Sequence, residues 1–105
     1  MTFAIFKDKD VPSGTRKVAS QCTSALFSYQ IFSNNVGAKV TFYGSNLIAP
    51  DMNDLRQWRA ITFIEVTSVD DVELVHNDQH AYEHLMYVVD VGPVEQIVVR
   101  TGVSG

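Results

Sequence analysis

The 105 residues of this chain are 46% apolar and 19% charged, a balance that is typical of one globular domain and argues against disorder. The net charge of −4 gives no electrostatic reason to bind nucleic acid or an anionic membrane. The single cysteine, Cys22, excludes an internal disulfide, and neither a signal peptide nor a membrane-spanning segment is expected.

The first half of the chain alternates apolar and polar residues with the period of two that β-strands show. The clearest run is SALFSYQIF at residues 24–32, and KVTFYG at residues 39–44 is a second. Turn residues separate these runs, because glycine, proline, asparagine and serine favour turns. Strands are therefore predicted at residues 2–6, 15–20, 21–32 and 36–43.

A long loop is predicted at residues 47–57, because Pro50, Asp51, Asn53 and Asp54 interrupt the alternation. A single helical turn at residues 51–55, with Asp51 as its cap, is expected inside this loop. The strand pattern then resumes. Further strands are predicted at residues 58–66, 72–75, 81–91 and 94–101, with a polar turn at residues 76–79.

Seven or eight strands without a long helix predict an all-β fold, namely a single antiparallel β-sandwich of jelly-roll-like type. The domain is expected to span residues 1–105, with residues 1–14 as an N-terminal arm and residues 47–57 as the long loop. Neighbouring strands joined by short turns make the sheets antiparallel.

Three histidines, His76, His80 and His84, lie close together in the sequence. Imidazoles are zinc ligands, so a small metal-dependent enzyme of cupin-like architecture is one interpretation. The spacing matches no specific metal motif, so a polar, solvated face on an edge strand is the preferred interpretation. Because no nucleophile elbow and no phosphate-binding loop occurs, the sequence predicts no enzyme and no cofactor.

Five aromatic residues are the candidates for binding: Tyr29, Tyr43, Trp58, Tyr82 and Tyr87. Outward-facing rings on a β-sandwich can stack on sugars or form protein interfaces. By strict alternation, Tyr29 lies on the opposite strand face from Leu26, and Tyr43 lies on the opposite face from Phe42. Some of these rings are therefore expected to face outward. The competing interpretation places most of them in the core between the sheets.

Two segments, residues 27–32 and 85–91, carry apolar residues on both strand faces. A strand that is apolar on both faces is buried on both faces, whereas the outer face of a small sandwich normally meets water. Either a loop of the same chain or another subunit must cover these faces. The second alternative predicts that the domain works inside an assembly.

The chain contains VTFYGSN at residues 40–46, then a loop, and then WRAI at residues 58–61. Together with the Tyr-led segment at residues 82–91 and the Val-rich strand at residues 94–101, this pattern resembles small bacteriophage virion proteins. The loop is longer here than the usual turn in those proteins.

The resemblance implies a β-sandwich without catalysis that decorates a capsid or forms part of a neck or tail. It implies copies of itself and other virion proteins as partners, through strand faces, the N-terminal segment and the loop at residues 47–57. The implied location is the virion, after synthesis in the host cytoplasm. The alternative is a carbohydrate-binding module with a glycan as its partner.

Overall fold

The computed structural model describes residues 2–20, 26–68, 72–78 and 83–102, with side chains from residues 4–20, 27–68 and 83–100. Eight β-strands and one short 3₁₀ helix occur in this described part. They are β1 (Thr2–Val11), β2 (Arg16–Ser20), β3 (Leu26–Phe32), β4 (Lys39–Ser45), the 3₁₀ helix (Leu55–Gln57), β5 (Arg59–Glu65), β6 (Val72–Asp78), β7 (His84–Val91) and β8 (Val94–Gly102). The prediction of an all-β sandwich is confirmed. Within the described ranges, no helix is long and apolar enough to span a membrane.

The strands form two four-stranded sheets that pack face to face. Sheet A has the order β1-β8-β3-β6, and sheet B has the order β2-β7-β4-β5. All of the paired strands are antiparallel. The pairing is nested, because β4 pairs with β5, β3 with β6, β2 with β7 and β1 with β8.

The core lies between the inner faces of the two sheets, where the alternating side chains of each strand point. In β4, Val40 and Phe42 are buried, whereas Lys39 and Thr41 on the opposite face are half-buried. The buried core residues are Phe6, Val11, Phe27, Tyr29, Ile31, Ala38, Val40, Phe42, Ile64, Val66, Leu85, Tyr87, Val89, Val94, Ile97 and Val99.

Hydrogen bonds connect the turns at one end of the sandwich. The Gly92 amide donates to Ser13 Oγ at 2.6 Å, and Asn35 Nδ2 donates to the Gly92 carbonyl at 2.8 Å. The Gly14 amide donates to the Val89 carbonyl at 2.8 Å. The loops before β2, β4 and β8 therefore form one connected surface at this end.

Three local predictions differ from the structure. Residues 76–78 belong to β6 and not to a polar turn. The helical turn lies at residues 55–57 rather than 51–55, and its cap is Asp54, whose side chain accepts from the Arg56 amide at 3.1 Å. The segment predicted as an N-terminal arm contributes β1, which pairs with β8 along sheet A.

Candidate interaction surfaces

The loop between β4 and β5 folds back over the outer face of sheet B. Arg16 on β2 donates from Nη1 to the Met52 carbonyl at 2.8 Å, and Trp58 donates from Nε1 to the Asp51 carbonyl at 3.0 Å. The Asp51 amide in turn donates to Gln57 Oε1 at 2.8 Å. These bonds hold the central part of the loop against the sheet.

Under this loop lies a second apolar cluster, here called the outer cluster. It consists of the buried residues Trp58, Met86 and Val88, with Val18, Tyr43 and Met52 packed against them. Met86 and Val88 point to the outer face of β7, while Leu85, Tyr87 and Val89 point into the main core. The chain's own loop therefore covers the outer face of β7 at Met86 and Val88, and no second subunit is needed there.

The strand at residues 27–32 does not repeat this arrangement. Phe27, Tyr29 and Ile31 are buried, but Ser28 is half-buried and Gln30 is exposed. The expectation that this strand is buried on both faces is wrong, because its outer face carries polar side chains apart from a half-buried Phe32.

The described aromatic candidates are mostly internal. Tyr29 and Tyr87 are each 1% exposed and Trp58 is 6% exposed; the expectation that Tyr29 faces outward is therefore wrong. Tyr43 is half-buried and packs against the outer cluster. Tyr82 lies outside the described residues. None of the four described rings forms a flat, open platform for a sugar.

Two of the three histidines, His76 and His84, lie in different sheets. His76 is paired with Ser28 in sheet A, whereas His84 is paired with Ser20 and Ser45 in sheet B. His84 Nδ1 and Ser20 Oγ lie 2.8 Å apart, and His80 lies outside the described residues. No cluster of three potential metal ligands occurs among the side chains that the structure describes.

The first residues of the loop form an exposed apolar tip, defined here as Leu47, Ile48 and Ala49. Ile48 is 98% exposed and Leu47 is 51% exposed, and Ala49 has a φ of 50°, which is left-handed backbone that a side chain disfavours. The tip is anchored where it begins, because the Leu47 amide donates to Ser45 Oγ at 3.2 Å and the Glu83 amide donates to Asn46 Oδ1 at 2.8 Å.

The sequence pattern predicts the loop but does not single out this tip. The only signal for it is a pair of consecutive aliphatic residues, Leu47 and Ile48, in a segment otherwise rich in turn-forming residues. An open cavity of about 560 Å³ lies beside the tip and reaches Glu83 and His84.

A smaller pocket of about 250 Å³ lies at the other end of the sandwich and is here called the end pocket. Pro12, Pro93 and Val94 line it together with the acidic residues Asp10 and Glu95. Val94 is fully buried, so it forms the floor, and the two prolines are exposed. Glu95 Oε2 accepts from the Asn34 amide at 2.9 Å, which fixes one acidic side of the pocket.

A further exposed ring occurs on the edge strand β5. Phe63 is 55% exposed, and Lys39 Nζ lies 4.6 Å from the centre of its ring. A cation over an aromatic face is attracted by the ring quadrupole. The lysine side chain covers part of the ring. Its charge also lies at this edge of the sheet and so discourages pairing with another strand.

The loop carries one well-formed exposed ion pair. Arg56 Nε donates to Asp54 Oδ1 at 3.0 Å, and Arg56 Nη2 donates to Asp54 Oδ2 at 3.0 Å. These side-chain bonds, followed by the bond from the Arg56 amide, lower the pKa of Asp54, and the same carboxylate raises the pKa of Arg56. The bidentate geometry orders the short 3₁₀ helix just before Trp58.

Comparison with protein-family models, with curated proteins and with solved structures gives no significant match for this chain. Its function is therefore inferred from the fold and from the surfaces described above.

Proposed function

We propose that this chain is a non-enzymatic structural subunit of a phage-like virion, as a capsid decoration or cement protein or as a neck or tail component. The nested strand order is the observation that carries this proposal. Eight strands paired as 1 with 8, 2 with 7, 3 with 6 and 4 with 5 have the nesting that is typical of jelly rolls, which supports a jelly-roll-like sandwich. Jelly rolls build viral capsid domains, and they also occur in lectins and cupins.

A lectin-like role has less support than an assembly role. A sugar-binding face needs accessible aromatic rings or polar groups in a shallow site. Trp58 is held under the loop by its hydrogen bond to Asp51, and Tyr29 and Tyr87 are part of the main core. The exposed ring of Phe63 is partly covered by Lys39.

A cupin-like enzyme also has less support. Such an enzyme holds its metal between the two sheets, where this chain packs hydrocarbon side chains. Tyr29 and Phe42 are in ring contact there, with centroids 4.7 Å apart. The two histidines with described backbones, His76 and His84, belong to different sheets.

The exposed surfaces favour binding to other protein subunits. A single exposed aliphatic residue is ordinary on a monomer. Here, however, Ile48 is nearly fully exposed and lies on a loop held by hydrogen bonds before it, at Asn46 and Leu47, and after it, at Asp51 and Met52. A preorganised apolar group loses little conformational entropy on binding, so it suits a protein interface.

The proposal is tested by mass spectrometry of purified, nuclease-treated particles from a culture that produces this chain. We expect the chain in stoichiometric amounts with the major particle proteins, banding with them in a density gradient. An abundant non-structural protein of the same lysate is the control. If the chain is removed from the particle band as completely as the non-structural control protein is, the proposal is contradicted.

A further inference from the structure

The two ends of the sandwich carry different surfaces. The tip lies beside His84, the first residue of β7, and the end pocket lies beyond Val91, the last residue of β7. Because β7 has 8 residues and a strand rises about 3.3 Å per residue, the two surfaces are separated by about 25 Å along the strand. The molecule therefore carries an apolar protrusion at one end and a pocket with apolar lining residues at the opposite end.

We propose that Ile48 of one copy inserts into the end pocket of a second copy, so that copies of this chain associate head to tail. This inference deepens the proposed function and depends on it, because it names the partner as the chain itself. A contact between two different surfaces of one chain is heterologous and propagates into a ring or a filament. Repetition of this kind suits a component that occurs in many copies in one particle.

The sizes and the chemistry of the two surfaces match. A dry cavity of roughly 150 Å³ holds a benzene molecule, so a pocket of about 250 Å³ has room for an isoleucine side chain. Pro12, Pro93 and Val94 offer it apolar contacts. Insertion removes from water the most exposed large apolar side chain among the described residues, which favours association.

The two surfaces offer one complementary pairing of charges, between Arg59 and the acidic end pocket, while Glu83 beside the tip is acidic like the pocket. Asp10 and Glu95 flank the end pocket. At the opposite end, Arg59 is exposed and lies next to the end of β4, because it pairs with Gly44. Head-to-tail association therefore brings a guanidinium group toward two carboxylates. Such complementarity sets the orientation of an interface and speeds its formation.

Two variants each remove one of the surfaces. Ile48→Asp puts a charge on the tip, and folding should be unaffected because that side chain is 98% exposed. Pro12→Arg places a long cationic side chain beside Asp10 and Glu95, where it covers the pocket. Leu55→Asp is the matched control, because Leu55 lies in the same loop and is 42% exposed but is not part of the tip.

The measurement is sedimentation velocity with light scattering on the untagged chain, from about 10 μM to about 1 mM. We expect the wild type and Leu55→Asp to form larger species as concentration rises. Each of the other two variants alone should weaken association at least about tenfold. An equimolar mixture of Ile48→Asp and Pro12→Arg should form dimers and nothing larger, because the mixture contains one intact tip and one intact pocket per pair.

Several results would overturn the inference. A wild-type chain that stays monomeric at the highest concentration, yet is found in particles, would reject the inference and leave the proposed function standing. Loss of self-association in Ile48→Asp but not in Pro12→Arg would indicate a twofold contact between tips. If Ile48→Asp self-associates normally but is not incorporated into particles, the tip binds a different virion protein.

Discussion

The Tyr87 hydroxyl donates a hydrogen bond to Asp8 Oδ2 at 2.9 Å, and this bond joins the two sheets, because Asp8 lies on β1 of sheet A and Tyr87 on β7 of sheet B. Lys17 on β2 contacts the other oxygen of the same carboxylate at 2.5 Å. The Tyr87 ring also meets Phe6 edge to face, with centroids 4.9 Å apart. Asp8 therefore links β1 to both β2 and β7 on one side of the sandwich.

Replacing Tyr87 with phenylalanine should lower the free energy of unfolding by about 1–2 kcal/mol. The ring contact with Phe6 remains, whereas the buried hydrogen bond to Asp8 is lost. Urea denaturation at neutral pH measures the change. Tyr43→Phe is the control, because no hydrogen bond from the Tyr43 hydroxyl occurs among the described residues, and it should stay within about 0.5 kcal/mol of the wild type.

The same bond predicts a loss of stability in alkali. Burial raises the pKa of Tyr87, and the hydrogen bond to Asp8 and its negative charge raise it further. Tyr87 contributes fully to the free energy of unfolding below about pH 10, the pKa of tyrosine in the unfolded chain. This contribution is lost as the pH rises above that value, because the unfolded chain then releases a proton that the folded chain retains. The stability difference between wild type and Tyr87→Phe should therefore stay constant up to about pH 9 and shrink as the pH rises above about 10 in urea denaturation; a difference that grows would contradict this assignment.

Truncating Trp58 should expose the outer face of sheet B. Trp58→Ala removes the ring that packs on Met86 and Val88, and we expect a loss of about 3–5 kcal/mol. Trp58→Phe keeps most of the packing but loses the hydrogen bond to the Asp51 carbonyl, so it should cost less. Denaturant titration compares both with Leu55→Ala. If Trp58→Ala is as stable as Leu55→Ala, the loop does not hold the outer cluster.

Gly92 should not tolerate a side chain. A Cβ at this position would lie 2.8 Å from the Ser13 amide nitrogen and 3.2 Å from the Pro12 carbonyl carbon, and both are backbone atoms that cannot move away cheaply. Gly92→Ala should therefore destabilise the fold by about 1–3 kcal/mol.

The matched comparison is Gly37→Asn. Gly37 has a φ of 94°, and a Cβ added there would have no heavy atom within 4 Å. Asparagine also tolerates left-handed backbone better than most residues. Thermal denaturation of both variants should rank Gly92→Ala as the less stable. The opposite ranking would show that the backbone conformation at Gly37 restricts substitution more strongly than the crowding at Gly92 does.

Alternation along single strands is readable from the sequence because each strand's own pleat decides it. Phe27, Tyr29 and Ile31 are all buried on one face of β3, while Gln30 between them is exposed. If Leu26 is assumed to point inward, alternation predicts that Tyr29 points outward. This prediction is wrong, because Phe27 and Tyr29 are the residues that share the inward face. A shift of one residue moves every side chain to the other face.

The candidate surfaces are less accessible to sequence reasoning. The apolar run of β7 has two explanations in the sequence, a covering loop or a second subunit. In the structure the loop covers Met86 and Val88, because Met52 and Trp58 pack against them. The end pocket could not be predicted either, because it joins Pro12 to Pro93, and the turns that hold them meet only after β1 and β8 have paired.

That this protein is built of strands follows from local sequence, because side-chain alternation and turn residues act over a few neighbouring positions. Which apolar side chains are buried and which, like Ile48, remain exposed to water depends on the assembled fold. Burial depends on groups brought together from distant parts of the chain, and no local pattern contains that information.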